Sequence, residues 1–473
     1  MILKTVNNQY AFEAKNICTL FFPYEKIKED GNEDITVSVE ISADELIVFA
    51  KDCEKQINKS KRVLQNEDMA YAVSVLLYDA LSELTGIKLP WGILYGVRPA
   101  KLMHRYANKF GEDKAKEYFV NHYLTTPEKA ELASEVMKHE NRIISLSQDN
   151  SFSLYVSIPF CPTRCSYCSF VSHSIERTKK LVEPYVDLLC KELEKSAKVA
   201  SRLGLRLETI YFGGGTPTSL SASQLDRLLS TIENSFDLTH LREYTVEAGR
   251  PDTVDEEKLL TLKAHNVGRI SINPQSFNDD VLAAIGRQHT SKQTLDAFSL
   301  ARKCGFDNIN TDLIAGLPKD NFASFKNSVD TAIKLGATSV TIHTLALKSA
   351  SYIVTGENKT IPPDRKTAAD MVAYSNSALS KAGYYPYYMY RQSKSVGNLE
   401  NVGWCREGYD CLYNVFMMDE THSVFACGAG AVTRLKNPKT NHIDRIYNYK
   451  YPYEYIDNFN TILDRKEEIV NFY

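Results

Sequence analysis

Between residues 152 and 345 the chain repeats one pattern. A short apolar run is followed by a polar or glycine-bearing break, then by a longer stretch whose apolar residues recur at helical spacing. The apolar runs fall at 152–158, 207–212, 243–248, 268–273, 308–314 and 339–345, with helical stretches such as 179–203, 222–235, 293–304 and 322–335 between them. This alternation predicts βα units whose strands pair in parallel beneath covering helices. Six such units in succession predict an α/β fold, a partial (β/α)6 barrel. Chemistry in such folds gathers at the C-terminal ends of the strands.

The first 150 residues follow a different pattern. Strand-like apolar stretches at 11–22 and 35–49 are broken by Pro23-Tyr24 and Asp30-Gly31-Asn32. Helical periodicity follows at 64–84, stopped by Gly86, and again at 114–123 and 127–144. Strands first and helices afterwards predict an N-terminal α+β domain over 1–150, preceding a barrel over 151–383. The tyrosine-rich run from Tyr384 to Tyr390 reads as a strand entering a C-terminal domain of mixed α/β structure, 384–473. Between the helices of the first domain, Leu89-Pro90-Trp91-Gly92-Ile93-Leu94-Tyr95-Gly96-Val97-Arg98-Pro99 reads as an ordered connection, with a docking loop as the alternative.

Composition narrows the setting. The 473 residues are 43% hydrophobic and 24% charged, with a net charge of -3, so no overall basic field attracts nucleic acid. No window of about 20 apolar residues predicts a membrane span, and the N-terminus has no secretory pattern. Ten cysteines in such a chain predict reduced thiols and a cytoplasmic setting.

Three of those cysteines carry the strongest chemical signal. Cys161, Cys165 and Cys168 lie in a C-x3-C-x2-C run just beyond the first barrel strand. Three thiolates can hold a soft metal centre. A four-iron cluster on three thiolates keeps one iron open to a non-protein ligand. A structural zinc site is the alternative, but zinc wants four ligands and no second cysteine pair exists. Cys405, Cys411 and Cys427 match no ferredoxin spacing and read as ordinary thiols. After the second strand comes Gly213-Gly214-Gly215-Thr216-Pro217-Thr218, where missing Cβ atoms let a ligand approach the backbone. No Gly-Lys-Ser/Thr follows, so this is not a Walker A loop.

Taken together, Tyr155-Val156-Ser157-Ile158-Pro159-Phe160-Cys161, the two further cysteines and Tyr211-Phe212-Gly213-Gly214-Gly215-Thr216-Pro217 resemble the radical S-adenosylmethionine (radical SAM) superfamily. Within it the chain is similar to oxygen-independent coproporphyrinogen III oxidases. The segments Trp91-Gly92-Ile93-Leu94, Tyr388-Met389-Tyr390-Arg391-Gln392 and Gly397–Gly403 make it most like their HemZ subgroup. The resemblance implies a 4Fe-4S cluster on Cys161, Cys165 and Cys168, with exchangeable SAM on the open iron. It implies first-SAM contacts at Tyr155, Gly214 and Glu247. A second SAM is implied at Tyr167, Gly215, Thr216, Gln275, Arg287 and Asp312.

The implied activity is oxidative decarboxylation of coproporphyrinogen III to protoporphyrinogen IX in haem biosynthesis. It would be driven by a 5′-deoxyadenosyl radical and fed by a reduced flavodoxin or ferredoxin-type donor. Arg391 and Lys394 are candidate clamps for the tetrapyrrole carboxylates. The tyrosines at 384–390 read as sheet packing, with an aromatic wall for the tetrapyrrole as the alternative. His289 and His343 read as hydrogen-bonded structural histidines, with proton donation as the alternative. Two departures stand out. Phe170 occupies a position that is often cysteine in the oxidases. Tyr413-Asn414 stands where the haem-chaperone branch, HemW, has His-Asn. A haem carrier and a radical SAM enzyme acting on another tetrapyrrole are the alternative functions.

Overall fold

Ile2–Val6 (β1), Thr36–Ile41 (β2), Glu45–Lys51 (β3) and Gln56–Arg62 (β4) form a four-stranded sheet in that order. β1 and β2 are parallel and the other pairs antiparallel. Burial alternates along β2 and β3, so Val37, Val39, Leu46, Val48 and Ala50 line one face. Helices Ala11–Phe21 and Met69–Thr85 share that core. The stretch at 11–22, expected as a strand, is thus a helix. Its buried residues Ala14, Ile17, Cys18 and Phe21 recur at three- and four-residue spacing, which a short apolar run does not separate from a buried strand.

This computed structural model describes residues 1–6, 9–42, 44–170, 172–348, 351–355 and 363–473. The chain divides into two compact units. The first is Met1–Glu135 with Tyr390–Glu400; the second is Val136–Met389 with Asn401–Tyr473. Among the described residues no helix is long and apolar enough to cross a membrane.

The segment 390–400 explains why the first unit contains Trp91-Gly92-Ile93-Leu94. Arg391 is buried, donates to the carbonyls of Leu94 and Asn398, and lies 5.3 Å from the Trp91 ring centroid. Trp91 Nε1 donates to buried Glu400 at 2.8 Å, and Lys129 pairs with the same carboxylate. Although burial opposes ionisation of Glu400, Lys129 and Trp91 hold its pKa below the ordinary value. Gly92 has φ +51, and a Cβ there would fall 2.0 Å from the Tyr123 carbonyl oxygen. Arg391 is therefore committed to backbone carbonyls rather than free to clamp a substrate carboxylate, whereas Lys394 is exposed.

The second unit is built on Ser151–Ile158 (β5), with Phe160–Cys161 (β6) and His173–Ser174 (β7) forming a small separate pair. Next come Arg206–Gly214 (β8), Glu243–Glu247 (β9), Arg269–Ser271 (β10), Asn308–Ala315 (β11) and Ser339–Thr344 (β12). The six strands β5 and β8 to β12 pair in parallel in sequence order, as the repeated pattern predicts for a partial barrel. Tyr385–Arg391 (β13) and Glu400–Cys405 (β14) extend the β12 edge. Ser423–Cys427 (β15), Val432–Lys436 (β16) and Ile443–Tyr447 (β17) extend the β5 edge, giving eleven strands.

The residues from 384 onward, expected as a domain of their own, join this sheet because β15 pairs in parallel with β5. Such a partner about 270 residues away leaves no local signature. The tyrosines of 384–390 pack into it: Tyr384, Tyr387 and Tyr388 are buried, and Tyr384 donates to the Ala337 carbonyl at 2.5 Å.

Two stability outcomes follow. Gly92→Ala is expected to cost about 3 kcal/mol or more, since it adds a backbone clash to an unfavourable φ; a urea titration showing under about 1 kcal/mol would contradict the packing. His422 is buried between Ser147 (2.7 Å) and Ser153 (2.8 Å), and burial, then Lys436 and Arg242, pushes its pKa down to about 3. Between that value and the unfolded value the unfolded chain binds a proton that the folded chain refuses, so stability falls as pH drops below about 6.5. A loss of about 2 kcal/mol from this residue is expected at pH 5. In His422→Asn that part of the difference between pH 7 and pH 5 should vanish in parallel urea titrations.

Candidate active site

At the C-terminal end of β5 the chain turns into the cysteine loop, whose base is closed by backbone bonds. His173 N–H donates to the Pro159 carbonyl and Ile175 N–H to the Cys161 carbonyl, both at 2.9 Å. The end of β8 is fastened to the same turn: Gly215 N–H donates to the Ile158 carbonyl at 2.7 Å and Thr216 N–H to the Phe160 carbonyl at 2.8 Å. Thr216 Oγ1 also donates to Cys161 Sγ at 3.4 Å. Gly215 fits because it has no Cβ; one there would lie 2.6 Å from the Phe160 carbonyl oxygen and 3.0 Å from Cys161 Sγ.

The tip of the loop is held by residues that sequence reasoning did not single out. Arg250 is buried and grips Asp252 through two bonds of 2.8 and 2.6 Å. Its remaining nitrogen donates to Thr163 Oγ1 at 2.6 Å. Thr163 in turn donates to the Gly286 carbonyl at 3.2 Å, and Ser166 N–H to the Ile285 carbonyl at 2.9 Å. An Arg two residues before an Asp, across Pro251 and just beyond a predicted strand, was the available sequence sign. Phe170, noted above as a departure, is exposed.

Burial raises the pKa of the Cys161 thiol, and burial followed by the neighbouring Cys165 raises Cys168 to about 11. Sulfurs in such a setting ionise when a metal shares their charge. Among the described residues no three His, Cys, Asp or Glu side chains converge on a single metal ion.

Further residues expected at the site fall into two linked groups. In one, Arg287 donates to Tyr167 of the cysteine loop at 3.2 Å and to the Asn273 carbonyl at 2.5 Å. Buried His289 is pushed to about 3 by burial, then by Arg287, so it is neutral there. In the other, Tyr155 on β5 stands opposite Tyr211 on β8, and Tyr211 donates to Glu247 Oε1 at 2.6 Å. Burial pushes Glu247 up to about 7, with Tyr211 opposing and Asp312 adding to the shift. Asp312 accepts from Asn310 at 2.8 Å and lies 3.6 Å from His343 Nε2. Gln275, at φ +69, bridges its backbone to β11 through Asp312 O and Ile314 N, at 3.0 Å each. Its buried Oε1 and the buried Nε of Arg287 have no protein partner. All twelve expected site residues lie in the second unit.

Comparison with known proteins gives the following. Residues 155–332 match the family described as the radical SAM superfamily. The chain is 34% identical over 469 residues to the oxygen-independent coproporphyrinogen-III oxidase-like protein HemZ of Bacillus subtilis, covering 96% of this chain and 94% of that one. It is 32% identical over 299 residues to the heme chaperone HemW of Lactococcus lactis, covering 63% of this chain and 73% of that protein. Among solved structures, coproporphyrinogen III oxidase HemN of Escherichia coli aligns with a TM-score of 0.53 at 22% identity, over 68% of this chain and 71% of that one.

Arg250→Gln is expected to loosen the loop tip and strand Asp252. Breaking one side of a buried ion pair typically costs about 3–5 kcal/mol. Iron retained after anaerobic reconstitution should fall by about half or more; retention equal to the unaltered protein, with Thr163 still ordered, would contradict the clamp.

Proposed function

The chain carries a radical SAM domain and belongs to the oxygen-independent coproporphyrinogen-III oxidase-like HemZ family, and on that premise we propose that it oxidatively decarboxylates coproporphyrinogen III to protoporphyrinogen IX. The observation that carries this reading is the fastening of the Cys161-Cys165-Cys168 loop to Gly215 and Thr216 at adjacent strand ends. When bound, a 4Fe-4S cluster and SAM would supply a 5′-deoxyadenosyl radical formed by reductive cleavage of SAM.

Cys161, Cys165 and Cys168 would hold three irons and leave the fourth to SAM. Gly214 would admit the first SAM close to the backbone beside Tyr155. Glu247 would accept hydrogen bonds from its hydroxyl or ammonium groups, and as a half-protonated carboxyl it would do so better above neutral pH. Tyr167, Gly215, Thr216, Gln275, Arg287 and Asp312 would form the second SAM shell. The unpartnered Gln275 Oε1 and Arg287 Nε support a polar ligand there, because buried polar atoms without partners are costly. Each substrate propionate would give a β-hydrogen atom to the 5′-deoxyadenosyl radical, then release carbon dioxide and pass one electron to an external one-electron acceptor to become vinyl, twice per molecule. The electron that starts each turnover would come from a reduced flavodoxin or ferredoxin-type donor.

A haem carrier is the second reading, favoured by the similarity to HemW. The burial of Tyr413, which is 5% exposed and stacked on other rings, weighs against an axial haem ligand at that position.

The test is product analysis after anaerobic reconstitution. With coproporphyrinogen III, SAM and dithionite, the protein should yield 5′-deoxyadenosine and vinyl-bearing porphyrinogen. SAM cleavage without vinyl product would count against the substrate, and tight haem transfer without decarboxylation would favour the carrier. Cys165→Ala should abolish the electron paramagnetic resonance signal of the reduced cluster.

A further inference from the structure

Helix Leu412–Asp419 connects β14 to β15 and sends Tyr413 among the rings of the barrel strands. The helix has no side-chain cap of its own at Cys411. Its first N–H groups are met instead by Glu243, the first residue of β9: Glu243 Oε2 accepts from Leu412 N at 2.6 Å and Oε1 from Tyr413 N at 3.4 Å. Cys411 Sγ donates to the same carboxylate at 3.3 Å. A carboxylate accepting orphan N–H groups at a helix start fixes both the position and the rotation of that helix.

Fixed in this way, the Tyr413 ring lies 4.5 Å from the Tyr211 ring at 21° and 6.1 Å from the Tyr155 ring at 15°. Tyr155 and Tyr211 are themselves 6.4 Å apart at 18°, so the three planes are nearly parallel. Tyr211 and Gly213 point the same way along β8, and a Cβ on Gly213 would lie 3.1 Å from Tyr211 and 3.4 Å from Glu247 Oε1. The missing Cβ lets the rings and the carboxylate meet over the glycine. Glu243 and Glu247 share one face of β9, four residues apart. One strand thus anchors the helix at its start and presents Glu247 at its end, and the tyrosine rings close the circuit between them.

From this circuit we infer that Tyr413 is a positioning residue: its ring buttresses Tyr211, whose hydroxyl holds Glu247 in the orientation needed to receive SAM. The inference rests on the functional reading above for the identity of the ligand, but the circuit itself is a property of the chain. Aromatic stacking restricts the ring of Tyr211, and a ring that cannot tilt keeps its hydroxyl on one carboxylate oxygen. Without the Tyr413 face, Tyr211 has room to tilt and its 2.6 Å bond to Glu247 lengthens. Glu247 then loses the bond that opposes its elevated pKa, and its charged form appears only at higher pH. The groups facing Glu247 are Tyr211, Asp312, Arg269, His343, Tyr155 and Tyr413; the three tyrosine rings form the stack, with the Tyr211 hydroxyl the one bonded to Glu247, and Asp312, Arg269 and His343 lie outside it.

The test uses the full chain in two states. In the cluster-free protein, the Glu247 carboxyl is titrated by infrared difference spectroscopy, with its band assigned by its loss in Glu247→Gln. Tyr211→Phe and Tyr413→Leu should both move the titration midpoint upward, and Tyr413→Phe, which keeps the ring, should restore it. In the reconstituted protein, SAM binding by equilibrium dialysis should weaken about tenfold at neutral pH in Tyr413→Leu and recover as pH rises, with Tyr413→Phe close to the unaltered protein. The combination of Tyr211→Phe with Tyr413→Leu should be no worse than either alone, since both break one circuit.

A stability loss in Tyr413→Leu with the midpoint and SAM affinity unchanged would overturn the inference and leave a packing role. If Tyr413→Leu does not fold, Tyr413→Met removes the ring with an unbranched side chain that adapts better to the space left, and the same outcomes decide. If the unaltered protein binds no SAM, the functional reading fails, while the carboxyl titration still decides whether the stack holds Glu247.

Discussion

Two backbone hydrogen bonds, from Gly215 N–H to the Ile158 carbonyl and from Thr216 N–H to the Phe160 carbonyl, are what the site depends on. They join the C-terminal ends of two adjacent parallel strands just where each leaves the sheet. A loop that departs from one strand end alone would be free to swing. With the bonds in place, the first thiol is fixed relative to the glycine run, and Gly215 is required because a side chain would meet Cys161 Sγ and two carbonyls. The remaining fastenings extend the same logic outward: Arg250 ties the loop tip to the β9 end, and Arg287 ties Tyr167 to the segment after β10. Each successive strand end thereby contributes one restraint to a loop that begins on the first. Sites placed on rigid elements and locked by supporting bonds keep their geometry better than sites on free loops.

Much of this was legible in the chain. Parallel strands buried on both faces read as plain apolar runs, and the helices between them carry their own capping residues, such as Ser221 with Gln224 and Thr290 with Gln293. The cysteine spacing and its place after the first strand put the candidate chemistry at the C-terminal end of the sheet, where the loop lies. The helix Ala11–Phe21 was misread because eleven mostly apolar residues carry both periodicities, and tertiary packing chooses between them. The parallel pairing of β15 with β5 and the capping of helix Leu412–Asp419 by Glu243 were invisible for another reason. Each depends on residues that meet across some 170 to 270 positions, and no local pattern encodes a distant partner.

The tyrosines beside Glu247 show the same limit from the chemical side. Tyr155 falls on the first barrel strand and Tyr211 and Gly213 on the second by the apolar pattern alone, but that three tyrosine planes stack beside Glu247 needs the helix from residue 412. Tyr413 is a departure from a haem-chaperone pattern; in the structure it stacks on Tyr211 and on Tyr155, the latter a residue expected to meet SAM. A substitution that first looks like the loss of one function is here the presence of a ring with a defined place. The segments Trp91-Gly92-Ile93-Leu94 and Tyr390–Glu400 likewise prove to be two halves of one packing arrangement around Arg391 and Glu400.

That arrangement has a consequence for the order in which the molecule assembles. Synthesis proceeds from the N-terminus, yet the groove around Trp91, Leu94 and Lys129 is filled by residues 390–400. Until those residues emerge from the ribosome, Lys129 and Trp91 lack their carboxylate and the carbonyl of Leu94 lacks its guanidinium. The first unit to be made is therefore the one that must wait, holding an open cleft while more than 250 residues of barrel are translated. A chaperone that shields the nascent chain would find its longest task at the beginning of this protein.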